Sequence, residues 1–205
     1  MNSGELKRAK REVRRRILAT RDAMSEPDRE AESAAIVARF LQLPQARRSA
    51  VIMVFWSFGS EVSTEPLIGG LHELDAIIVL PAIVDGELEA RRYVPGDTVE
   101  PTSFGAYEPS GGDVVAADRI DIVATPAVAF DRSGRRVGYG GGFYDRFFLR
   151  LRPDALRIGL AFDLQVLPSG EVLPAGHFDL RVDMVVTGSE VIGAALRGQD
   201  PGSAT

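Results

Sequence analysis

The sequence predicts an α/β fold, a three-layer, Rossmann-like α/β/α arrangement whose sheet is largely parallel and carries helices on both faces. Three observations lead there. Apolar runs at residues 50–56, 76–80, 120–125, 156–162 and 183–187 are rich in β-branched side chains, the pattern of strands buried on both faces. Stretches with helical periodicity or helix-start signals alternate with them. A glycine-dense segment follows the third run and opens a helix, at the carboxyl end of a strand, where parallel sheets hold their ligands.

Taken in order, Leu6, Ala9, Val13 and Ile17 recur at spacings of three and four and give a first helix with a narrow apolar stripe and cationic remaining faces. Lys10 and Arg14 share one side of it. Ser25 with Asp28 three residues on, close to a capping box, opens a second helix that runs through Ala34, Ile36, Val37 and Phe40 and stops at Pro44. The strand over 50–56 is followed by a loop over 57–64, a short helix around 66–74 and a strand over 76–80. Asp85-Gly86 makes a hairpin turn into 88–94. Residues 95–118 lack any period and read as a loop, and a loop of that length in a compact domain is more often functional than idle. The runs at 120–125, 156–162 and 183–187, with helices between them, complete the sheet. One domain spans residues 1–197, and the polar tail 198–205 is expected to be disordered.

At 205 residues, 45% of them hydrophobic, one domain can bury a core and still hold a ligand cleft. No apolar run reaches the roughly 18 residues of a membrane span, and the N-terminus is charged, so a soluble, cytoplasmic protein is expected. The absence of cysteine excludes disulfides, thiolate metal sites and a cysteine nucleophile. With only His72 and His177 as histidines, a bound metal would be a hard, oxygen-ligated ion. The net charge of -5 argues against general affinity for nucleic acid or anionic membranes, and a monomer acting on small molecules is expected. Basic residues nevertheless crowd between Lys7 and Arg21, where an anionic ligand could be met.

Residues 126–146 read P-A-V-A-F-D-R-S-G-R-R-V-G-Y-G-G-G-F-Y-D-R. Gly138, Gly140, Gly141 and Gly142 let backbone amides approach an anion closely, and the start of the following helix adds its dipole. Arg132, Arg135 and Arg136 can neutralise an oligophosphate, and Asp145, in the first helical turn, can hold magnesium. A tight strand-to-helix turn would also explain the glycines, but it does not require three arginines and an acid. No Gly-Lys-Ser/Thr follows, as in a Walker A loop, and the spacing is not that of the dinucleotide fingerprint.

This segment resembles the P-G-x-A-F-D-x-x-G-x-R-L-G-x-G-G-G-Y-Y-D signature of the 5-formyltetrahydrofolate cyclo-ligase family. Four further segments are similar in order: Lys10 to Arg14 to an N-terminal K-x-x-hydrophobic-R element, F-G-S-E-V-S-T at 58–64 to a folate-contacting loop, F-G-A-Y-E-P at 104–109 to a central F-G-x-x-E-P, and H-F-D-L-R-V-D at 177–183 to a closing H-D-x-x-V-D. Departures are Ala127 for glycine, Phe143 for tyrosine, and Phe178 between His177 and Asp179. The resemblance implies an ATP- and Mg2+-dependent ligase that phosphorylates the formyl oxygen of 5-formyltetrahydrofolate and closes the ring from nitrogen 10 to give 5,10-methenyltetrahydrofolate, ADP and phosphate. It implies that ATP is held by Lys10, Arg14, Arg132, Arg136, Val137, Gly138, Tyr139, Gly140, Gly141, Gly142, Phe143 and Tyr144. Folate would meet Trp56, Phe58, Glu61, Tyr139, Phe143 and the glycines 140–142. Magnesium would lie at Asp145 and Asp179, and Arg136, Tyr144 and Asp145 would be catalytic.

Each residue also has a plainer account. Lys10 and Arg14 could be a solvated basic face, Asp179 a loop carboxylate, Trp56 core, and Tyr139 and Phe143 loop packing. Asp145 could simply stabilise a helix start, a contribution of about 0.3–1 kcal/mol. His72 reads as surface. A non-catalytic phosphate- or RNA-binding module and a phosphosugar isomerase on a related scaffold are the competing functions.

Overall fold

The structure, a computed structural model, describes residues 2–102 and 105–193. The tail 198–205 and Phe104 lie outside the described residues.

The chain begins with α1 (Ser3–Asp22), opened by a reciprocal capping box in which the Asn2 side chain accepts from Glu5 N at 2.9 Å and Asn2 N donates to Glu5 at 2.8 Å. The second helix, α2 (Glu26–Gln42), is capped by Ser25 and ends where Leu43 turns extended ahead of Pro44. Then follow β1 (Val51–Met53), α3 (Glu65–Glu73), β2 (Ile77–Val84) and β3 (Glu87–Tyr93). Next come the short strands β4 (Val99–Pro101), β5 (Tyr107–Pro109) and β6 (Val114–Val115), before β7 (Ile122–Thr125). A small hairpin, β8 (Ala129–Phe130) and β9 (Arg136–Val137), precedes α4 (Phe143–Phe148), and β10 (Leu156–Leu160), β11 (Met184–Val186) and β12 (Val191–Gly193) close the fold.

Eight strands form one sheet in the order β12-β11-β10-β7-β1-β2-β3-β6. The five inner strands from β11 to β2 are parallel, and β12, β3 and β6 are added antiparallel at the two sides. Period-two alternation sorts the apolar runs between the faces. Ile52, Ile78, Ile122, Ile158 and Met184 point to the face covered by Ile36 and Phe40 of α2 and Leu67 and Leu71 of α3. Met53, Val79 and Val123 point the other way, onto Phe147 and Phe148 of α4. Each such aromatic removed from water contributes roughly 1.5–3 kcal/mol. On that second face Gly159 is a space requirement, because a Cβ there would lie 2.5 Å from the ring of Phe130. The three-layer α/β arrangement is as the sequence predicts.

Three local expectations change. The first strand ends at Met53 rather than at 56: Val54 N still donates to Val79 O at 2.9 Å, but Thr64 Oγ1 then donates to Phe55 O at 2.7 Å and accepts from Ser57 N at 3.0 Å, drawing the chain off the sheet. Residues 95–118 are not wholly loop, since β4 and β5 pair as a separate ribbon and β6 joins the sheet edge. Between β10 and β11 the described chain holds only a 3-10 turn, Asp163–Gln165, where a helix is expected. Its polar groups serve the β8–β9 hairpin instead: Gln165 Nε2 donates to Ala127 O and Val128 O, and Leu173 N donates to Asp131. Among the described residues, no helix is long and apolar enough to cross a membrane.

Candidate functional site

Because β1 and β7 are adjacent and parallel, the chain leaves both strands at the same edge of the sheet. The loop over 54–64 and the glycine segment over 126–142 therefore face each other, and between them lies a cavity of about 460 Å3. Ala106, Tyr107 and Glu108 of the β4–β5 ribbon also reach it.

One end of the cavity is cationic and lined by glycine. Gly140 and Gly142 have φ of 119° and 69°, the left-handed region that glycine enters without strain, and Gly142 caps α4. Arg14 Nε donates to Gly138 O at 2.6 Å, fixing the first helix against this segment. Lys10 Nζ donates to both oxygens of Asp179, at 2.6 and 2.5 Å. Arg136 is 8% exposed, donates to Asp145 Oδ1 at 2.8 Å and stacks 5.0 Å from the Phe148 ring centre. Burial pulls its guanidinium down and Asp145 pulls it back up. Asp145 Oδ1 also accepts Leu180 N at 2.9 Å, whereas Oδ2 takes no hydrogen bond from the described residues. Arg136 Nε and the Tyr144 hydroxyl are buried without a partner, as groups that a ligand or water completes are. Burial and the Glu61 charge both raise the Tyr144 phenol, so it remains a neutral donor.

The other end is apolar around one carboxylate. Glu61 accepts the Tyr139 hydroxyl at 2.7 Å and Phe58 N at 3.2 Å. Burial raises its pKa to about 7, against the opposing Tyr139 hydrogen bond, the Phe58 amide and the Arg21 charge. Near neutrality it can hold or release a proton. Arg21, 3% exposed, donates to the Tyr139 hydroxyl and to Ser60 Oγ, both at 3.0 Å. Trp56 meets Tyr93 edge-on at 5.7 Å, and Phe58 lies 5.5 Å from Tyr139.

Lys10, Arg14, Trp56, Phe58, Glu61, Arg136, Gly138, Tyr139, Gly140, Gly141, Gly142, Phe143, Tyr144, Asp145 and Asp179 thus line one cavity. Two expected residues do not. Arg132 forms a bidentate pair with Glu190, at 2.9 and 2.7 Å, because Asp131 Oδ1 accepts Ser133 N and Arg135 N and folds this turn outward. Val137 is core, packed with Ile17 and Leu173. His72 is exposed, as the sequence predicts, and His177 is exposed against Phe178 outside the cavity lining. Arg21 is the residue that sequence reasoning missed. The signal was its spacing, since 10, 14 and 21 share one helical face.

As to metal, no three of His, Cys, Asp and Glu converge among the described residues. Asp145 with one free oxygen, and Asp179 beside Lys10, are a donor set suited to magnesium carried in on phosphates rather than to a preformed cage.

Residues 6–188 match the model of the 5-formyltetrahydrofolate cyclo-ligase family. The chain is 30% identical over 194 residues to a 5-formyltetrahydrofolate cyclo-ligase of Haemophilus influenzae, covering 92% of this chain and 100% of that protein. It is 33% identical over 159 residues to a protein of the same name from Escherichia coli, covering 75% and 86%. Among solved structures, Aquifex aeolicus 5,10-methenyltetrahydrofolate synthetase superposes with a TM-score of 0.80 at 30% identity, covering 91% of this chain and 93% of that one.

Proposed function

This chain belongs to the 5-formyltetrahydrofolate cyclo-ligase family, and from that premise we propose that it converts 5-formyltetrahydrofolate to 5,10-methenyltetrahydrofolate, using MgATP and releasing ADP and phosphate. The observation that carries the reading is the two-ended cavity, where a cationic, glycine-lined phosphate end opens directly onto an apolar end with one buried carboxylate.

The chemistry needs both ends together. A formamide oxygen is a poor leaving group, so ring closure requires its activation. The formyl oxygen attacks the terminal phosphorus, the bond from phosphorus to the bridging oxygen breaks, and ADP departs. Nitrogen 10 then bonds to the formyl carbon, the carbon–oxygen bond breaks with loss of phosphate, and the proton of nitrogen 10 is released. Amides of residues 138–142 hold the phosphates, while Lys10, Arg14 and Arg136 offset the charge spread over the moving phosphoryl group. The Tyr144 hydroxyl and Arg136 Nε donate to oxygens that the protein does not itself supply. Asp145 and Asp179 would hold magnesium, whose chemistry there is to neutralise phosphate charge. Trp56 and Phe58 flank the pterin and exclude water, and Glu61 accepts from its ring nitrogens and faces the product cation. No protein nucleophile is used, in keeping with a chain that lacks cysteine. The same reading makes this a cytoplasmic, monomeric enzyme of small molecules.

The test is direct. Purified protein given MgATP and 5-formyltetrahydrofolate should form the methenyl chromophore and ADP in equal amounts. Absence of both rejects the assignment, and salt-sensitive RNA retention without turnover would favour the binding-module alternative.

A further inference from the structure

The outer face of α1 takes no part in the site described above, yet it is the most cationic surface of the protein. Eight basic and three acidic side chains give this helix a net charge of +5 within a chain of net -5, so everything outside it is net -10. At about 100° per residue, Lys10, Arg14, Lys7, Arg11, Arg15 and Arg8 follow one another round the helix, from the cavity wall out to solvent. Arg15 is paired with Glu12 at 2.6 Å. Lys7, Arg8 and Arg11 are exposed and form no ion pair and no side-chain hydrogen bond among the described residues. Like charges three and four positions apart destabilise a helix, so the fold itself does not call for this crowding. Its field also reaches the site: burial lowers the pKa of Arg14, Asp179 raises it, and the charge of Arg11 lowers it again.

We propose that this arc is a capture surface for small polyphosphate anions, which collect on Lys7, Arg8 and Arg11 and pass round the helix to Lys10 and Arg14. The inference rests on the function proposed above and deepens it, assigning to residues outside the cavity the rate at which MgATP enters. One helical turn rises about 5.4 Å and the Debye length is about 10 Å at 0.1 M salt, so Lys7, three positions before Lys10, and Arg11, three before Arg14, act on the cavity mouth with little screening. A cleft lined by one sign of charge raises the encounter rate of an opposite ion by about 10- to 1,000-fold. The occupant is small, because an extended polyanion would run on from α1 onto a surface of net negative charge.

Stopped-flow binding of a fluorescent MgADP analogue, without folate, reads the capture step by itself. In the wild type the association rate should fall about tenfold as ionic strength rises from about 20 mM to about 0.5 M, where the Debye length is roughly 4 Å. The combined variant Lys7→Gln, Arg8→Gln, Arg11→Gln should associate about tenfold more slowly at the lower ionic strength and within about twofold of the wild type at the higher, with the dissociation rate and kcat unchanged. A wild-type association rate that is flat in salt overturns the inference, whether or not the variant folds. So does a variant whose deficit lies in dissociation or persists at high salt, since those mark a direct contact rather than a field. Capture of the analogue without methenyl formation overturns the activity and leaves this inference standing, whereas failure to bind the analogue at any salt overturns both.

Discussion

Replacing Glu61 by glutamine should flatten the dependence of stability on pH. The carboxyl is buried, and its pKa rises from an ordinary 4.5 to about 7 in the folded protein. The unfolded chain then releases this proton more readily than the folded one. The associated stability is fully present below pH 4.5 and is lost as pH rises through about 7. Using those two values, the loss is about 0.8 kcal/mol at pH 5 and about 3.3 kcal/mol at pH 8, a difference of about 2.5 kcal/mol. Glutamine keeps the shape and can still accept the Tyr139 hydroxyl, but it has no proton to lose. Urea unfolding of both proteins at pH 5 and pH 8, compared as differences, cancels every other titrating group. The variant should gain about 2.5 kcal/mol on the wild type between the two pH values. Stabilities that run parallel within about 0.5 kcal/mol would mean that Glu61 is not held in a dry site, and the account of the folate end would fail with it.

Arg21→Met removes the charge that favours ionised Glu61 and the donor that fixes the Tyr139 hydroxyl. The carboxyl should rise further, and the acid limb of the pH dependence of folate KM should move to higher pH, with Arg21→Lys restoring part of the shift. A limb that stays in place would reduce Arg21 to simple packing. Asp145→Ala should abolish most turnover and also lower stability by about 2–3 kcal/mol by urea unfolding, because it strips the partner from a buried guanidinium. Asp145→Asn should recover much of that stability but little turnover. A loss of under 1 kcal/mol in the alanine variant would return Asp145 to an ordinary helix-start residue.

The inner strands were legible because burial on both faces leaves an unbroken apolar run: β1, β7, β10 and β11 lie within the runs that the sequence shows, and β2 starts inside one and continues beyond it to Val84. The strands β4, β5 and β6, at two or three residues each, are too short for alternation to register. The connection from β10 to β11 was misread because alternation makes a helix the default, while Pro168, Gly170, Pro174 and Gly176 already argue against one. Within the site, the glycine segment was legible from its local composition. Arg132 was drawn in for the same reason, since proximity in sequence does not reveal that Glu190, 58 residues away, takes its guanidinium. The contact of Glu61 with Tyr139 spans 78 positions, and no local pattern could announce it.

That contact constrains how the protein can drift over generations. Tyr139 belongs to the glycine segment and Glu61 to the loop after β1, so a single phenol bolts together two stretches that would otherwise accumulate changes independently. A lineage that loses the phenol inherits a stranded acid beneath it, and one that loses the acid leaves Arg21 without its screened counter-charge. Substitutions at 21, 61 and 139 should therefore arrive as a set among descendants, each tolerated only in the company of the others.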